Sequence, residues 1–102
     1  MLHLELDVQP QTAQRLKTIL ASAPDEESFA RNVIAYQIAE LQKGVLNIRI
    51  DLKQMEEKHQ QSTADFYRQF EQGQADDSED SMLWAGLYEL LQDNERQLQE
   101  LA

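Results

Sequence analysis

The amino-acid sequence predicts a mostly α-helical chain: an N-terminal strand, a short helix, a long coiled-coil-like helix and two further helices. Three patterns carry that prediction. Ile34, Ile38, Leu41, Val45, Ile48, Leu52 and Met55 recur in 4-3-4-3 spacing, the seam of a helix that packs on another helix. Leu2, Leu4, Leu6 and Val8 alternate with His3, Glu5 and Asp7, the period of a half-buried strand. Trp84, Leu87, Leu91, Leu98 and Leu101 return to heptad positions, so the chain closes in another amphipathic helix.

Taken in order, the strand comes first and poses a problem, because a lone strand leaves its backbone N–H and C=O groups unpaired. The expected solution is the same strand of a second copy, with Leu2, Leu4 and Leu6 lining a two-stranded ribbon. Pro10 suits the first turn of a short helix reaching about Ala21, with Ala13, Leu16, Ile19 and Leu20 on one face, and Pro24 breaks it. Asp25 stands at an N-cap, Glu26 and Glu27 favour the positive end of the helix dipole, and the long helix runs from there to about His59.

Along that helix Ile38, Val45 and Leu52 take the a positions and Ile34, Leu41, Ile48 and Met55 the d positions of an expected dimer seam. A second apolar stripe, Leu46 and Ile50 with Ala39, implies a neighbour on another face, and Gly44 marks a close approach, a bend or a merely tolerated glycine. Ser62 caps a short aromatic helix over 63–72 that Gly73 terminates, expected to fold back on the Leu46 and Ile50 stripe. Residues 74–81 hold Asp76, Asp77, Glu79 and Asp80 with no large apolar residue, and read as a solvated linker. The last helix covers 82–101, with Leu83 and Leu90 widening its stripe and Asn94 interrupting it. The chain thereby divides into an N-terminal dimerisation module, 1–42, and a helical extension, 43–102.

At 102 residues the sequence supports one small core, and long helices on so small a globule often complete their packing by oligomerising, so a homodimer or tetramer is expected. The formal charge of -10, from 19 acidic and 9 basic residues, opposes unassisted approach to nucleic acid and favours a basic partner. There is no cysteine, and no apolar run long enough to cross a membrane; the expected location is the cytoplasm, with no membrane association.

Chemistry finds little to build on. Glu56 and His59 sit three residues apart on one helix face, the spacing of di-iron carboxylate bundles, but two further glutamates have no clear source. The serines, at 22, 28, 62, 78 and 81, occupy capping or linker contexts, and three separated glycines cannot form a phosphate loop. The expectation is a non-enzymatic protein that needs no cofactor. The aromatic set Phe66, Tyr67, Phe70, Trp84 and Tyr88 has little interleaved Lys or Arg, so it reads as core or as a protein-binding hot spot.

The order strand, short helix, break and longer helix over residues 2 to about 42 resembles the ribbon-helix-helix fold. The following residues resemble the C-terminal extension of prokaryotic type II antitoxins: Asp51-Leu52, Glu56-Glu57-Lys58-His59, Ser62, Phe66-Tyr67, Phe70, Gly73, the acidic run and Trp84. That resemblance implies an N-terminal dimer and a C-terminal region that wraps and blocks a toxin encoded nearby, often a ribonuclease. Phe66, Tyr67, Phe70, Trp84 and Leu87 would then be apolar anchors, and Asp76, Asp77, Glu79 and Asp80 would attract a basic toxin surface. Such proteins also repress their own operons through the outward strand face. Here that face carries His3, Glu5 and Asp7 and the long helix starts with Asp25, Glu26 and Glu27, so no DNA-binding residue is assigned. An autorepressing regulator and a small carboxylate-metal protein stand as the alternatives.

Overall fold

The computed structural model describes all of residues 1–102 and contains four helices: α1 (Pro10–Ser22), α2 (Glu26–His59), α3 (Thr63–Glu71) and α4 (Glu79–Leu101). By internal contacts the chain separates into two units, Met1–Ala35 and Tyr36–Ala102, a division seven residues earlier than position 42.

The mostly helical expectation fits, but the N-terminal strand does not exist. Residues 1–9 adopt no regular secondary structure, and Leu2, Leu4 and Leu6 are 65–79% exposed. The reason is physical: every regular element in the rest of the chain is a helix, so no extended segment is there to complete a ladder. Alternation alone supplies a face, not a partner.

In the first unit Pro10 occupies the opening turn of α1, where its missing N–H has no cost, and the helix ends at the Ala23–Pro24 break with the Ala23 amide donating to the Leu20 carbonyl. The Asp25 carboxylate then accepts the Ser28 amide at 2.6 Å and opens α2, which lowers the Asp25 pKa. No residue of this unit is buried. Ala13, Leu16 and Phe29 are only half-covered, while Ile19, Leu20, Val33 and Ile34 remain exposed.

The second unit is built differently. Lys58 and His59 at the end of α2 meet Asp80 at the start of α4, while Gly44 meets Asn94 and Arg49 pairs with Glu95, so α4 runs antiparallel to α2. α2 ends in a reversal in which the Gln61 amide donates to the Glu56 carbonyl across Gln60 in the left-handed region, φ 52°. α3 ends the same way, with Gln74 donating to Gln69 across Gly73 at φ 71°. Ser62 and Ser78 cap α3 and α4 by accepting the amides of Asp65 and Ser81. α4 therefore begins at Glu79, which takes Glu79, Asp80 and Ser81 out of the linker and into a first helical turn.

The core consists of Ile48, Leu52, Phe66, Trp84, Ala85 and Leu91, with Val45, Met55, Tyr67, Phe70, Leu87 and Tyr88 packed around it. α3 contributes Phe66 to this core and does not cover the Leu46 and Ile50 stripe, both of whose residues stay exposed. Turning Phe66 inward buries it against the Trp84 ring, an aromatic partner that Leu46 and Ile50 could not have supplied.

Candidate functional site

The seam assigned to dimerisation is largely filled from within the chain. Leu41, Ile48 and Leu52 are buried and Ile38, Val45 and Met55 half-buried; Ile48, Leu52, Val45 and Met55 pack with Trp84, Leu87 and Leu91 of α4. α4 carries a complementary heptad stripe on the same chain, and intramolecular pairing wins because no second molecule has to be brought in. Of the seam, only Ile34 stays exposed, in the first unit. The Leu2, Leu4 and Leu6 part of that assignment depended on the absent ribbon and is corrected with it. The DNA-binding alternative needed the same ribbon as its groove-reading element.

The aromatic anchors are likewise structural. Trp84 is 2% exposed and Phe66 4%, with their rings stacked at 4.0 Å between centroids and 4° between planes. The Trp84 indole N–H donates to the buried Thr63 hydroxyl at 3.0 Å, and the His59 ring also stacks on Trp84, at 5.4 Å between centroids. These two rings cannot also anchor a partner without unfolding the unit, so that assignment is corrected. Tyr67, Phe70 and Leu87 are half-buried around them. The Tyr67 hydroxyl donates to Glu89 at 2.8 Å, and that bond with the nearby carboxylate charges pushes its pKa up to about 12.

Two of the four linker carboxylates are engaged internally. Asp76 accepts the Ser81 hydroxyl at 2.6 Å and the Ser78 amide at 3.1 Å; Ser78 first, then Ser81, hold its carboxyl down at about 2. Asp80 takes Lys58 at 2.6 Å and His59 at 3.0 Å, which lowers its pKa, Lys58 contributing most. Asp77 and Glu79 face solvent. The Glu56 and His59 pair is divided: Glu56 accepts the Thr63 amide at 2.7 Å while His59 turns to Asp80 and Trp84. Each of the two is committed to closing the α2–α3–α4 junction.

What the sequence reading passed over lies on the outside of α4. Met82, Leu83 and Leu90 are exposed beside Gly86, and a groove between α2 and α4 runs alongside, lined by Asp51, Gln54, Met55, Lys58, Leu83 and Leu87. The signal was present in Leu83 and Leu90, read only as a wider stripe. Charge is divided as unevenly as apolar surface: the second unit holds 14 acidic and 6 basic residues, the first 5 and 3. No helix is long and apolar enough to cross a membrane. Comparison with protein-family models, with characterised proteins and with solved structures finds no match to this chain.

Proposed function

We propose that this chain is a non-enzymatic interaction protein of the toxin-neutralising kind, whose N-terminal unit associates with a second copy and whose acidic C-terminal unit receives a basic protein partner. One observation carries the reading. The second unit closes a core of its own while the first buries no residue, which favours Met1–Ala35 as the surface a second copy covers. Near-balanced charge there lets two copies meet without strong repulsion, and Ile19, Leu20, Val33 and Ile34 supply the apolar contact.

The acidic unit suits a basic target through steering and complementarity, as a ribonuclease blocked at its RNA-binding surface requires. The test is genetic and direct. The gene adjacent to this one is expressed alone and then together with this chain; growth arrest relieved by the wild-type chain supports the reading. A harmless neighbour, or arrest that this chain fails to relieve, refutes it.

A further inference from the structure

Within the second unit, the outer face of α4 carries a patch that nothing in the chain explains. Leu83 is 54% and Leu90 49% exposed, and Gly86 lies between them at three residues and four, so the three share one helix face. Glycine weakens a helix interior relative to alanine and is kept where the backbone needs it or where something comes close. Neither reason is found inside this molecule: Gly86 has no positive φ, and a Cβ built on it meets nothing within 4 Å. Gly44 provides the contrast, since its Cβ would stand 3.2 Å from the Asn94 amide nitrogen. Leu83, Gly86 and Leu90 thus form a notch between two apolar shoulders, open to solvent.

The surroundings of the notch select its occupant. Glu79 precedes Leu83 by one helical turn and Asp51 lines the groove alongside, and neither carboxylate is in an ion pair within the chain. Of the nearby cations, Lys58 is held by Asp80 and Arg96 by Asp93. Two copies docking here would set units of 14 acidic and 6 basic residues against each other within a Debye length of about 8 Å.

We propose that this face docks an amphipathic helix from a basic partner protein, an apolar ridge entering the Leu83–Gly86–Leu90 notch and flanking Lys or Arg side chains reaching Glu79 and Asp51. The inference rests on the reading that the acidic unit receives a basic partner, and adds where and by what element.

The full chain is tested by fluorescence anisotropy at physiological salt. The probe is a labelled synthetic helical peptide with a leucine stripe and lysine flanks; its control carries glutamate flanks. The lysine peptide binds the wild type and the glutamate peptide binds at least tenfold more weakly. Gly86→Gln weakens the lysine peptide at least tenfold while the melting temperature holds or rises, because the new side chain enters open space and improves helix propensity. Leu83→Asp gives the same loss of binding in a folded chain. Failure of the lysine peptide to bind, equal affinity for both peptides, or equal affinity for wild type and Gly86→Gln overturns the proposal, as does a fall in melting temperature for Gly86→Gln. Sedimentation of the same samples separates this from the reading above: a dimer that Gly86→Gln dissociates makes a second copy the occupant, whereas a monomeric wild type that still binds the lysine peptide refutes only the N-terminal pairing.

Discussion

Replacing Trp84 with alanine removes the centre of the second unit's core. The indole is 2% exposed, stacked on Phe66 at 4.0 Å and hydrogen-bonded to Thr63 at 3.0 Å. Truncating a buried tryptophan to alanine costs about 3–5 kcal/mol through transfer and cavity formation. The lost stack adds roughly 0.5–1.5 kcal/mol, and the orphaned Thr63 hydroxyl about 1 kcal/mol or more. These overlap, so the sum is about 4–6 kcal/mol. Against roughly 3–10 kcal/mol for the residues 36–102, at about 0.05–0.15 kcal/mol per residue, the substitution consumes most of the unit's stability. Urea unfolding followed by far-UV circular dichroism reads the loss directly. Trp84→Phe keeps a ring on Phe66 and loses the hydrogen bond, and falls by only about 1–2 kcal/mol. A Trp84→Ala chain as stable as the wild type, yet defective in partner binding, would refute the reasoning and return Trp84 to the role of an exposed anchor.

Gln60→Gly should stabilise the chain by about 0.5–1 kcal/mol in the same unfolding experiment, because glycine takes the left-handed position that closes α2 without penalty. Gly44→Ala should be close to neutral alone, helix propensity offsetting the 3.2 Å contact with Asn94, and should gain about 1 kcal/mol when Asn94→Ala makes room. Tyr67, raised to about 12, should ionise well above the ordinary tyrosine range in an ultraviolet titration, a behaviour that Glu89→Gln abolishes. Since its folded pKa lies above the unfolded value near 10, its contribution to stability holds below pH 10 and is lost as pH rises toward 12. A melting temperature with the same alkaline fall in Tyr67→Phe would contradict that assignment.

How much of this was legible in the sequence varies with the range of the interaction. The helical character followed from signals local to each element, such as Pro10 at the start of α1 and the serine caps at 62 and 78, whose side chains accept amides three residues on. The heptad spacing of Ile48 and Leu52 correctly demanded a helical neighbour but could not say which one, since Trp84, Leu87 and Leu91 offer a matching stripe on the same chain. The ribbon failed for a related reason: alternation at Leu2, Leu4 and Leu6 specifies a face, while a strand also requires an extended partner that this chain lacks. The sequence favoured core over contact for Phe66 and Trp84 without deciding it, because composition does not separate a buried aromatic from an interface one; their stacking puts both rings in the core. The Glu56 and His59 spacing was real, but each side chain has a different partner: one accepts the first amide of α3 while the other reaches α4.

The N-terminal unit bears most of the weight, since the proposal makes it a requirement that a second copy cover its exposed Ile19, Leu20, Val33 and Ile34. Sedimentation equilibrium of the wild-type chain at low micromolar concentration measures that requirement. The account predicts a mass of twice 11.8 kDa, falling to one chain in Ile19→Asp with the helices of the second unit intact. A stable, cooperatively melting monomer of 11.8 kDa under those conditions would contradict it.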